Sequence, residues 1–160
     1  MSKILDHLYL GSYKDALDIE ALKMTGVTHI LNTVDEPDPA RRVYSTRPEY
    51  YGPDFKYHSF TSHDDNTYPI MDHFEECWEF VEDARRCGGR CLIHCMVGVN
   101  RSGVLAVAYV MVHLNIDLVT AVKVVHGARG ALLSNSTFVE RLVRFAAKRN
   151  SLIEVSVSDP

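Results

Sequence analysis

A chain of 160 residues, 46% hydrophobic and 24% charged, has the size of one globular domain with a single filled core. Its formal net charge of −4, with no basic run, argues against nucleic acid as the main partner, because nothing neutralises a phosphate backbone. The apolar run from Val104 to Leu114 stops well short of a membrane span.

In chain order, residues 3–10 alternate as a short strand closed by Gly11. Ala16, Leu17, Ile19, Leu22 and Met24 then suit a helix over Lys14 to Thr25, stopped by Gly26. Val27 to Val34 is β-branched and apolar, the composition of a buried strand. Residues 35–54 hold four of the six prolines and read as a long surface loop. Within it Arg41, Arg42 and Arg47, with Tyr44, Tyr50 and Tyr51, could wall a substrate site; solvated surface is the preferred reading. Phe55 to Phe60 is a strand, Thr61 to Pro69 a polar turn, and Ile70 to Arg86 a helix ended by Cys87-Gly88-Gly89. A strand over Arg90 to His94 leads through a loop to the nearly all-apolar, hence central, helix Ser102 to Leu114. Leu118 to Ala128 and Ser136 to Arg149 are amphipathic helices. This order predicts an α/β fold: a single-domain sandwich over 1–150, its central, mostly parallel twisted sheet flanked by helices, with a short loose tail over 151–160.

The residues from Met1 to Asp6 lack a signal-peptide layout, and Ser2 stands where myristoylation needs glycine. Cys77, Cys87, Cys91 and Cys95 are accordingly expected as reduced thiols in the cytoplasm, with the nucleus as a second compartment. A zinc reading of Cys87, Cys91, His94 and Cys95 is disfavoured, since these run along one strand; Cys91 and Cys95 would lie about 13 Å apart. The stretch His63-Asp64-Asp65-Asn66 lacks the glycine and closing glutamate of a calcium loop. No metal and no cofactor is expected.

The segment from His94 to Gly103 joins a buried strand to a buried helix, a junction that aims backbone N–H groups and the positive helix end at one anion site. Gly98 lets the loop Met96-Val97-Gly98-Val99-Asn100 curl, and Arg101 adds a planar fork for two phosphate oxygens. The same charges should lower the pKa of Cys95 and make it a nucleophile, with Ser102 donating to the sulfur. A lone cysteine is more often a small core residue, but His94, Gly98 and Ser102 at fixed offsets turn a weak pattern into a strong one.

His94-Cys95-x-x-Gly98-x-x-Arg101-Ser102 resembles the signature of the protein tyrosine phosphatases, most closely the small dual-specificity branch. Leu8-Tyr9-Leu10-Gly11-Ser12, Gly26 to Asn32, Ala108 to Met111 and the Asn135-x-x-Phe138 segment extend the resemblance over roughly residues 3–147, although Ser134 replaces the usual proline. It implies that fold, a phosphocysteine intermediate, and a phosphorylated protein as substrate, handled by a monomer or weak dimer. It further implies an aspartate general acid on a loop before the cysteine. Asp64, 10 residues before Phe74 and 31 before Cys95, fits that acid better than Asp65, which suits an Asx-turn. His94 is expected to order the loop by hydrogen bonding, and Asn135 to brace the site from behind. Arg129 either touches a second phosphate or acidic substrate residue, or satisfies last-turn carbonyls.

Met96, Val97, Val99 and Asn100 are not basic, unlike the corresponding positions of phosphoinositide phosphatases. The short chain implies a shallow cleft for phosphotyrosine and for phosphoserine or phosphothreonine. The rivals are a non-catalytic phosphopeptide-binding module, which typically loses the cysteine, arginine or acid, and an RNA 5′-phosphatase, which the acidic balance disfavours.

Overall fold

Alternation along the strands sends successive side chains to opposite faces, and here both faces are covered. The protein was analysed as a computed structural model that describes residues 1–35 and 47–157. Five strands, β1 (Ser2–Leu5), β2 (Leu8–Ser12), β3 (Val27–Asn32), β4 (Lys56–Ser59) and β5 (Arg90–Cys95), form one sheet in the order β1-β2-β5-β3-β4. Only the β1–β2 pair is antiparallel; β2, β5, β3 and β4 run parallel.

On one face, Leu8, Leu10, Leu31, Cys91 and Ile93 pack in the larger core with α4 (Phe74–Arg86), α5 (Arg101–Leu114), α6 (Leu118–Arg129) and α7 (Ser136–Val157). On the other, Tyr9, Ile30 and Leu92 meet residues of α1 (Tyr13–Leu17), α2 (Ile19–Met24) and α3 (Pro48–Tyr51). α5 is buried from Ser102 to Met111, as its unbroken apolar sequence demands, and it ends on Asn115 in the left-handed region at φ 52°. Buried β5 and buried α5 are consecutive, so the loop between them is fixed at both ends. The loop therefore starts from a buried strand and ends on a buried helix.

Several local expectations are revised. The single strand over residues 3–10 is a hairpin, because Asp6 and His7 reverse the chain between β1 and β2. The helix over Lys14 to Thr25 is two helices: Asp18 ends α1 through its N–H to the Asp15 carbonyl and starts α2 by accepting from the Ala21 N–H. A 3-10 turn, Ile70–His73, precedes α4. Tyr50 and Tyr51 do not wall a site: their hydroxyls donate to the carbonyls of Leu17 and Ala16. Arg41, Arg42 and Tyr44 lie outside the described residues. α7 continues past Arg149 to Val157 where a loose tail was expected, since no glycine or proline interrupts the chain before Pro160.

A buried polar cluster fastens the hairpin turn to the far end of α5. The Tyr109 hydroxyl donates to Glu82 Oε1 at 2.7 Å and meets His7 Nε2 at 2.7 Å, while Arg85 pairs with Glu82 Oε2. Burial acts to raise the Glu82 pKa, but Arg85, Tyr109 and His113 outweigh it and hold the carboxyl at about 2, against its ordinary 4.5. A pKa depressed on folding stabilises the protein above the unfolded value and loses that contribution as pH falls through the folded one. Glu82→Gln should therefore cost about 2 kcal/mol at neutral pH. In urea titrations the gap from wild type should close between pH 4.5 and about 2; a gap unchanged over that window would refute the charge-based account.

Candidate active site

β5 ends on Cys95 and α5 begins at Arg101, with Asn100 as an N-cap that makes no side-chain capping bond. The N-cap side chain thus leaves the first turn of α5 open toward the loop, and a helix start in that condition attracts anions. Gly98 turns the loop at φ +75°, and a β-carbon there would collide with the Gly11 carbonyl on β2. Arg129 holds the loop from behind: Nε donates to the Gly98 carbonyl at 3.0 Å and Nη2 to that of Val97 at 2.8 Å. Of the two readings of Arg129, carbonyl satisfaction is what the geometry shows, although the carbonyls belong to the neighbouring loop and not to its own helix.

Cys95 is 2% exposed. Its sulfur accepts from the Gly98 N–H at 3.1 Å and from the Ser102 hydroxyl at 3.1 Å. Burial alone would raise the thiol pKa; hydrogen bonds from Ser102 side chain and backbone, the Arg101 charge and the Gly98 N–H together bring it below the ordinary value. Arg101 Nη1 donates to the Ser62 carbonyl at 3.0 Å, whereas its Nε is buried with no partner among the described residues. A buried guanidinium N–H beside an ionisable sulfur suits an oxyanion, whose oxygens a planar fork can meet in pairs.

Above the sulfur opens a cleft of about 170 Å³, lined by Asp64, Cys95, Val97, Val99, Asn100, Arg101 and Ser134. Asp64 and Asp65, adjacent in sequence, have different partners. Asp65 Oδ1 accepts from the N–H groups of Thr67 and Tyr68 and the Thr67 hydroxyl, a closed turn that lowers its pKa. Asp64 faces the cleft, with Oδ2 accepting from Asn100 Nδ2 and Oδ1 from Asn135 Nδ2, both at 2.9 Å. Asn135 also caps α7 through Oδ1 to the N–H groups of Thr137 and Phe138.

Two findings were not anticipated. Asn100, expected only as part of the phosphate-binding backbone, is a side-chain hub: its Oδ1 accepts from the Ser134 hydroxyl and the Asn135 N–H while its amide holds Asp64. Ser134, noticed in sequence only as a departure from proline, thereby enters the cleft lining. The His94 ring is wholly buried, with the backbone of Cys95 as the hydrogen-bonding group that acts on it. Burial pushes the imidazole pKa down to about 4, so the ring is a neutral core group. The His94 carbonyl accepts from Thr33 N–H and hydroxyl, each at 3.0 Å, which ties the loop's start to the end of β3.

Alkylation of Cys95 by iodoacetamide, followed by peptide mapping to separate it from exposed Cys87, should titrate below the ordinary thiol value of 9.0. Ser102→Ala should raise that midpoint by about one pH unit, and an unmoved midpoint would discard the assigned donor. Gly98→Ala should distort the loop and abolish vanadate binding measured by calorimetry.

Residues 8–148 match the family model described as dual specificity phosphatase, catalytic domain. The chain is 36% identical over 145 residues to dual specificity protein phosphatase 22 of Xenopus tropicalis, covering 91% of this chain and 64% of that relative. It is 31% identical over 145 residues to dual specificity protein phosphatase 15 of Mus musculus, covering 91% of this chain and 57% of that one. The chain thus spans less than two thirds of the length of these relatives. The crystal structure of human DUSP28 superposes with a TM-score of 0.81 at 26% identity, over 93% of this chain and 94% of that one. With a strand–loop–helix anion nest in place and most of its length matched, the chain belongs to the family of dual specificity phosphatase catalytic domains.

Proposed function

We propose that this chain hydrolyses phosphate monoesters on proteins, phosphotyrosine as well as phosphoserine and phosphothreonine, through a phosphocysteine intermediate. The observation that carries this reading is the meeting of a donor-surrounded Cys95 sulfur, an unpartnered buried Arg101 Nε and the Asp64 carboxyl around one cleft.

In the first step the Cys95 thiolate attacks phosphorus in line as the bond to the substrate oxygen breaks, and Asp64 in its acid form gives that oxygen a proton. Arg101 and the N–H groups of the loop from Met96 to Asn100 take the charge on the equatorial oxygens. In the second step a water attacks the phosphocysteine, Asp64 as carboxylate removes the water's proton, and the thiolate leaves. The Ser102 hydroxyl stabilises that departing thiolate from 3.1 Å. Asn100 and Asn135 position Asp64 by holding one carboxylate oxygen each.

The breadth of substrate follows from the cleft's shape. An open rim with Val97 62% exposed and a space of about 170 Å³ support a reading in which short as well as long phosphorylated side chains are admitted. The cytoplasm is the compartment this reading prefers, since Cys77, Cys87, Cys91 and Cys95 are all free thiols. No helix among the described residues is long and apolar enough to cross a membrane.

Release of phosphate from a small aryl phosphate tests the reading. Wild type should turn it over and Cys95→Ser should be inert; an inactive wild type that still binds phosphopeptides would favour a binding module instead. Asp64→Asn should lower kcat by about 10²- to 10³-fold on an alkyl phosphate such as phosphoserine, whose leaving oxygen most needs a proton. Asp65→Asn, which loosens a turn, should lose much less. Equal losses at the two positions would sink the acid assignment.

A further inference from the structure

The active-site cleft offers a peptide little charge. Arg101 is the only cation among its described lining residues, and the Arg129 guanidinium is taken up by loop carbonyls. Selection of charged residues flanking the phosphorylated one therefore has to come from elsewhere on the surface.

Beyond the loop that carries Asp64 lies a groove of about 340 Å³, with Pro69, Met71 and Phe145 as its apolar part. Arg141, Arg144 and Lys148 of α7 also line it. They stand at i, i+3 and i+7, which places them along one helix face. Three cations face a single carboxylate in the lining, Asp72, on a chain whose net charge is −4. Arg144 is 77% exposed and, among the described residues, pairs with Glu140 on its own helix, a surface contact readily exchanged for another carboxylate. Arg141 Nη2 donates to the Thr67 carbonyl at 2.9 Å, and its Nε is buried without a partner among the described residues. Arg141 thus ties the groove's helix to the loop that carries Asp64.

We propose that this groove docks an acidic segment of the phosphorylated protein substrate. The inference rests on the phosphatase reading above and adds a preference for carboxylates at a distance from the phosphate. That distance follows from the chain. Asp64 lines the cleft and Pro69 the groove, and five residues of extended backbone reach at most about 18 Å. The turn closed by Asp65 shortens that span, so acidic residues up to about six positions from the phosphorylated one come within reach of the basic stripe.

The test uses two phosphopeptides with the same phosphorylated centre, one carrying Asp and Glu four to six positions away on either side, the other Ser and Ala there. Wild type and the double variant Arg144→Glu/Lys148→Glu are compared at low ionic strength. Wild type should favour the acidic peptide by about tenfold in kcat/KM, through KM, and should lose the preference in the variant and in high salt. Hydrolysis of a small aryl phosphate should be unchanged in the variant. Equal kcat/KM for the two peptides in wild type, or a preference that survives charge reversal, overturns the docking site. Failure of wild type to hydrolyse the aryl phosphate would instead overturn the phosphatase reading. Fluorescence anisotropy of the same labelled peptides on Cys95→Ser protein then reads docking by itself: a tenfold preference lost in the double variant upholds it, and equal affinities reject it.

Discussion

A thiolate inside a folded core needs hydrogen-bond donors to replace the water it has lost. Cys95 is almost wholly buried, yet its pKa lies below that of an ordinary thiol because Ser102, Arg101 and Gly98 supply those donors. Much of the architecture can be traced to that requirement. The sulfur stands at the end of a central parallel strand, where sheet and helix leave the fewest degrees of freedom. The following helix begins without a side-chain cap, so its end is electrostatically open. Gly98 must pass close to Gly11 of the adjacent strand, and Arg129 clamps the loop from outside.

The second requirement is that a carboxyl from a distant loop face the same sulfur. Here Asn100 is decisive, because one side of its amide holds Asp64 and the other receives Ser134 and Asn135. Three segments, the anion-binding loop, the loop of Asp64 and the start of α7, therefore meet on one side chain. Asn135 closes the arrangement by capping α7 while it holds the second oxygen of Asp64. The position of that carboxyl is coupled to the packing of α7, whose Phe138 is fully buried.

How much of this could be read in advance depended on how local the cause was. The anion nest is written in consecutive residues, His94 to Gly103, so strand, turn and helix signals sufficed to place it and its surroundings. The apolar run of α5 announced a buried helix for the same reason. Asp18 as a joint between two helices was less visible, since a short acidic residue in an amphipathic stretch serves equally well as helix surface. The different partners of Asp64 and Asp65 come from side chains 36 and 71 residues away in one case and a neighbouring turn in the other. No pattern of spacing reports such contacts. Ser62, whose carbonyl steers Arg101, and Asn100 as a hub were missed on the same ground. For His94 the family expectation of hydrogen bonding named no partner, and the Thr33 hydroxyl that donates to its carbonyl comes from 61 residues away.

The double hold on Asp64 has a kinetic consequence. Both its oxygens are engaged by side chains of the same chain, and Thr137 and Arg141 add contacts to Asn66 and Thr67 of that loop. The conformational entropy of ordering that loop is lost when the chain folds, not when a phosphate ester arrives. A loop ordered at folding leaves no ordering step for the encounter.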